Sequence, residues 1–252
     1  MITKQNFDEL VEIYETKDFI KDDPIQFPHF FVEKEDIEIA GFLASLFSYG
    51  NRKAFIPKLH ELFSIMKHRP YDYILNFSSK NNELDNFDYR FSKGCDIKEI
   101  ILILNKLYKD DNSSLRELFE YGWNTTQEIK GMLIIVCDYF YSNVKNDVTS
   151  GFYHLIPDAK KSSALKRMNM FLRWMVRRGE VDLGIWEFIP TSELLIPLDV
   201  HVGRLSVELG LIKKSNGDFK TAQEITNVLK TFDVDDPVKY DFALFGYGVN
   251  NR

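Results

Sequence analysis

The sequence predicts an all-α protein. Apolar residues recur at spacings of three and four along most of the 252 residues, strand-like alternation is scarce, and the breaks fall at Pro, Gly and polar clusters. Residues 7–15 place Leu10, Val11 and Tyr14 on one face of a first helix. The run Asp23-Pro24-Ile25-Gln26-Phe27-Pro28-His29 separates it from the next, which Asp36 opens and which passes through Ile37, Ala40, Leu43, Ala44 and Phe47 to end near Gly50. Residues 55–66 repeat Leu59, Leu62, Phe63 and Met66 at helical spacing, 97–108 and 115–121 continue the pattern, and 125–144 is the longest run. Residues 78–86 read as a polar loop, and 151–159, with Pro157, as a second break. Ser162 and Ser163 are placed to cap a helix reaching about Arg178, followed by a short helical connection at 181–188. Helices are expected at about 200–209, 222–232 and 237–245, the last opened by Asp236-Pro237.

Apolar residues make up 44% of the chain and charged residues 28%, the balance of a soluble globular protein. No apolar run approaches a membrane span, and residues 1–8 lack the apolar core of a signal peptide, so no membrane association and a cytoplasmic location are expected. Cys95 and Cys137 suggest neither a disulfide framework nor a metal site, and His29, His60, His68, His154 and His201 form no zinc pattern. No phosphate-binding loop, dinucleotide fingerprint or Gly-x-Ser-x-Gly elbow occurs.

The net charge of −6 argues against a general affinity for nucleic acid, but one stretch departs from it. Lys160, Lys161, Lys166, Arg167, Arg173, Arg177 and Arg178 follow one another with no intervening acid. On a helical wheel Leu165, Met168, Phe171, Leu172, Met175 and Val176 share one side, and Lys166, Asn169, Arg173 and Arg177 cluster on the other. Such a side is a solvated basic face or, with a helix N-terminus beside it, a phosphate contact. Asp199 follows the extended Ile196-Pro197-Leu198 and precedes Val202, Leu205 and Leu209, so it should cap the helix that Gly210 ends.

The string Ile196-Pro197-Leu198-Asp199-Val200-His201-Val202-Gly203-Arg204 resembles the catalytic aspartate segment of the helix-hairpin-helix DNA glycosylases. Ser162-Ser163-Ala164-Leu165-Lys166 is similar to that superfamily's Gly-hydrophobic-Gly-x-Lys turn, with Ser162 and Ala164 where the glycines stand. The lysine-to-aspartate spacing is closest to the archaeal 8-oxoguanine glycosylase branch. Residues 37–59, ending the first part in Tyr49-Gly50-Asn51-Arg52-Lys53, resemble the helix and turn that reach into the DNA gap, and 239–248 resemble the last helix. Asp36-Ile37-Glu38-Ile39-Ala40-Gly41-Phe42, residues 166–177 and residues 236–248 look like an uncharacterised bacterial family distantly related to these glycosylases.

The resemblance implies two helical lobes with a cleft between them: 34–179, ending in the basic helix, and 1–33 with 180–252, carrying Asp199. It implies a repair glycosylase with AP lyase activity on a damaged base, an oxidised purine being one candidate, with Lys166 as nucleophile and Asp199 as its carboxylate partner. It assigns DNA contacts to Asn51, Arg52, Ser162, Ser163, Arg167, Arg173 and Arg177. No cysteine follows Cys137, so no iron–sulfur cluster or other cofactor is expected. The partner would be lesion-containing double-stranded DNA, the protein a nucleoid-associated monomer. A DNA-binding protein of the same fold without catalysis and a helical protein-interaction domain remain alternatives, the last favoured by the acidic net charge.

Overall fold

A computed structural model describes residues 3–250. These residues are all-α: isolated bridges occur among them but no strands. The chain forms two compact units, one of residues 1–25 with 160–252 and one of residues 26–159.

The helices, in chain order, are α1 (Lys4–Tyr14), α2 (Lys17–Ile20), α3 (Lys34–Phe47), α4 (Arg52–Ile65), α5 (Pro70–Asn76), α6 (Gly94–Asn105), α7 (Leu115–Thr126), α8 (Ile129–Ser142), α9 (Ser150–Leu155), α10 (Lys166–Val176), α11 (Val200–Glu208), α12 (Phe219–Lys230) and α13 (Tyr240–Asn250). In the 26–159 unit α3 is the central helix, buried continuously from Ile37 to Phe47 because apolar or small residues occupy it on all sides except at Glu38, whose carboxylate accepts from Tyr108 and the Arg116 N–H. α4, α5 and α7 pack against it. α7 and α8 form a helical hairpin whose close approach depends on Gly122, where a Cβ would press on Met132. The continuous run expected over 125–144 is therefore two helices, parted where Gln127 takes the left-handed conformation (φ 52°) and closes α7 onto the Trp123 carbonyl. Carboxylates tie the later loops: Asp96 on α6 accepts from Thr149, and Glu99 from Lys145 and Asn146.

In the other unit α1 lies along α13, with Gly246 leaving room for the Tyr14 ring. Phe7, Leu198, Leu205, Ile225, Leu229, Tyr240 and Leu244 join in one core. α10 is buried on every side from Met168 to Val176. It thus belongs with the Asp199 segment rather than at the end of the other lobe, because Arg173 and Arg177 pair with Glu15 just after α1, Asp241 on α13 and Asp182.

Two expected helical stretches take other forms. Residues 181–188 are not helical: the N–H groups of Leu183 and Gly184 donate to the Trp174 carbonyl and that of Trp186 to Met175, so this segment satisfies the C-terminal carbonyls of α10. Ser162 and Ser163 do not cap α10, which begins at Lys166. The Ser162 carbonyl instead accepts from Phe219 N at 2.8 Å, Ser163 bridges to Asp218, and Leu165 turns the chain with φ 52°.

Candidate functional site

Lys166 is the first residue of α10 and Asp199 the residue before α11, so each is held by a helix start. The Asp199 carboxylate divides its oxygens. Oδ1 accepts the His201 and Val202 N–H groups at 2.9 Å each, capping α11, and Oδ2 lies 3.0 Å from Lys166 Nζ. The two side chains are 35% and 31% exposed, enough to reach a substrate and little enough to feel each other's charge. Burial pushes the Asp199 carboxyl up, but the Lys166 charge, the Val202 N–H and the Lys166 hydrogen bond together hold it below the usual carboxylate range.

A second acid stands in the field of this pair. Burial pushes the Asp241 carboxyl up to about 6; Arg173 pulls it back, Asp199 pushes it further up and Lys166 opposes. Asp241 lies in the first turn of α13 and pairs with the Arg173 guanidinium, two helical turns along α10 from Lys166. Sequence reasoning missed Asp241; the one signal for it was an acid immediately before the apolar run Phe242-Ala243-Leu244, which the structure buries.

Arg173 and Arg177 were expected on an open basic face. Both are buried, with 3% and 4% exposure, and turned inward. Arg173 Nε donates to Asp182 Oδ1 at 3.2 Å, and Arg177 reaches Asp182 Oδ2 at 3.0 Å, Asp236 at 2.8 Å and both oxygens of Glu15. Both guanidiniums lie over the Phe242 ring, at 4.7 and 5.6 Å. They are internal ties and offer no surface to DNA. Their acids come from four separate stretches of sequence, which is why the helical wheel left them unpaired. Trp174, beside them, is fully buried and has no face for a base.

The remaining expected contacts are distributed. Ser162 and Ser163 are exposed and Arg167 is half-buried in the second position of α10, close in sequence to Lys166. Asn51 and Arg52 belong to the 26–159 unit: Asn51 is exposed and caps α4, accepting from Lys53 N at 2.9 Å, and Arg52 begins that helix. Asn51 is thus a helix start rather than the end of α3. Among the described residues no group of three or more His, Cys, Asp or Glu side chains is arranged to hold a metal ion, and no helix is long and apolar enough to cross a membrane.

Residues 23–250 match the family described as "Protein of unknown function (DUF2400)". The chain belongs to that family. No curated protein and no solved structure matches it. Within this DUF2400 chain, the lysine and aspartate at paired helix starts are the arrangement with the most evident chemistry.

Proposed function

We propose that this protein is a DNA glycosylase with AP lyase activity, of helix-hairpin-helix type, that excises a damaged base, an oxidised purine being one candidate, from double-stranded DNA. The observation that carries the reading is the Lys166–Asp199 pair, 3.0 Å apart and partly exposed. Both residues were singled out from sequence motifs, and a nucleophile with an adjacent carboxylate is what this chemistry requires.

In the proposed reaction the Lys166 amine attacks C1′ of an extruded nucleotide, and the base departs with the electrons of the N-glycosidic bond, taking up a proton. Positive charge develops on the sugar as that bond lengthens, and the ionised Asp199 carboxylate stabilises it. The depressed Asp199 titration suits this role, since the group stays charged at neutral pH. Attack also needs Nζ as the free amine; its proton passes to water as the substrate enters, while Asp199 keeps its charge and orients the amine through Oδ2. Opening of the sugar ring gives a Schiff base on Lys166, from which β-elimination expels the 3′ phosphate.

The same pair also fits a non-catalytic DNA-binding reading, in which the salt bridge merely ties α10 to α11. Borohydride trapping on a panel of lesion-containing duplexes separates the two. Covalent capture that depends on Lys166 is expected; capture of no substrate, or capture that persists in Lys166→Gln, would remove the lyase assignment.

A further inference from the structure

With Arg173 and Arg177 turned inward, the expected basic face of α10 cannot hold DNA, yet another cationic surface lies beside the Lys166 and Asp199 segments. Residues 211–217 connect α11 to α12 and carry Lys213 and Lys214, and Lys220 follows in the first turn of α12. All three are exposed, and none takes part in an ion pair among the described residues. The acid beside them, Asp218, is engaged as the α12 cap, accepting from Thr221 N at 2.8 Å and Thr221 Oγ1 at 2.7 Å.

This loop is fastened on both sides to the elements that hold the pair. On the α11 side, Leu211 and Ile212 donate their N–H groups to the Ser206 carbonyl, and Ser215 packs so closely on Gly203 that a Cβ there would collide with it. Gly203 lies one helical turn beyond Asp199, whose carbonyl its N–H bonds at 2.9 Å. On the α10 side, Phe219 N binds the Ser162 carbonyl and Asp218 bridges to Ser163, three residues before Lys166. Exposed Lys160 and Lys161 continue the cationic strip beyond Ser162.

We propose that Lys213, Lys214 and Lys220 form the surface through which this protein grips the phosphate backbone of duplex DNA beside the Lys166–Asp199 pair. The assignment rests on the DNA-directed reading given above. Flexible, strongly hydrated lysine ammoniums in a run whose one acid, Asp218, is held as a helix cap suit a polyanion contacted without base specificity. On this reading, lysines on a neighbouring loop would supply phosphate contacts where Ser162 and Ala164 stand in place of the hairpin glycines.

The test measures the affinity of the full-length protein for a labelled lesion-free duplex across a salt series. Each phosphate contact contributes about 0.9 to the slope of log K against log salt concentration, so Lys213→Gln/Lys214→Gln/Lys220→Gln should flatten it by about two to three. The corresponding triple arginine variant should restore the wild-type slope. A glutamine variant with the wild-type slope, or one whose slope arginine does not restore, overturns this surface. Wild-type protein that traps on lesion DNA while the triple glutamine variant keeps its slope leaves the enzyme reading standing and removes the loop. Wild-type protein with no salt-dependent DNA binding overturns both.

Discussion

Asp199 holds Lys166 with one carboxylate oxygen and the first N–H groups of α11 with the other. A capping residue and a charged partner are the same side chain, and the cap fixes the direction in which the free oxygen points. Substitution separates the two roles. Asparagine caps nearly as well as aspartate, whereas alanine loses the cap at about 1 kcal/mol. Asp199→Asn should therefore slow base release strongly while unfolding at nearly the wild-type denaturant midpoint, and Asp199→Ala should lose both. Equal base-release rates in wild type and Asp199→Asn would show that the charge has no part in the reaction.

Lys166→Gln should abolish borohydride trapping while leaving the fold intact, because a half-exposed ion pair contributes only about 0–1 kcal/mol to stability. Trapping, denaturation and duplex affinity measured on one preparation distinguish loss of the nucleophile from loss of structure.

The buried cluster of Arg173, Arg177, Asp182, Asp236, Asp241 and Glu15 should govern stability. Removing one partner strands a charge that water cannot reach, which costs about 3–5 kcal/mol. Arg177→Met, which leaves Glu15 and Asp236 without their cation, is expected to lower the unfolding free energy by that amount in chemical denaturation, whereas Asp182→Ala, with Asp241, Asp236 and Glu15 still pairing both arginines, should cost less. An effect of Arg177→Met below about 1 kcal/mol would mean that solvent reaches the cluster.

Asp241 gives the fold a defined pH dependence. Its carboxyl is raised from 3.8 to about 6, so between those values the folded state binds more protons than the unfolded one. The contribution is thus most favourable at acid pH and is lost as pH rises through about 6. Asp199, lowered instead, works in the opposite sense: its contribution is present above 3.8 and is lost as pH falls further. Denaturation between about pH 4 and pH 6 should show a stability decline with rising pH that Asp241→Asn reduces. An unchanged slope in that variant would assign the dependence to other groups.

In the 26–159 unit, Gln127 occupies a left-handed position that glycine adopts at little cost. Gln127→Gly should stabilise the α7–α8 turn by about 0.5–1 kcal/mol despite losing the bond from Nε2 to the Trp123 carbonyl, read as a raised thermal midpoint. A lowered midpoint would show that the side-chain bond outweighs the strain.

The sequence by itself determined the all-α class, most helix positions and both members of the Lys166–Asp199 pair. Each of these is written locally, in apolar spacing, in an aspartate before a helical run, or in a short motif. It also misread what lay at long range. The wheel of α10 separated apolar from basic residues correctly, yet assigned the basic side to solvent, because the carboxylates that meet Arg173 and Arg177 come from residues 15, 182, 236 and 241. Only tertiary structure brings those charges together, since burial of an arginine depends on which distant acids arrive to neutralise it. The same holds for Ser162 and Ser163, whose expected cap is replaced by a bridge to residues 218 and 219. Local pattern fixed which residues begin helices, and long-range pairing decided which charges face water.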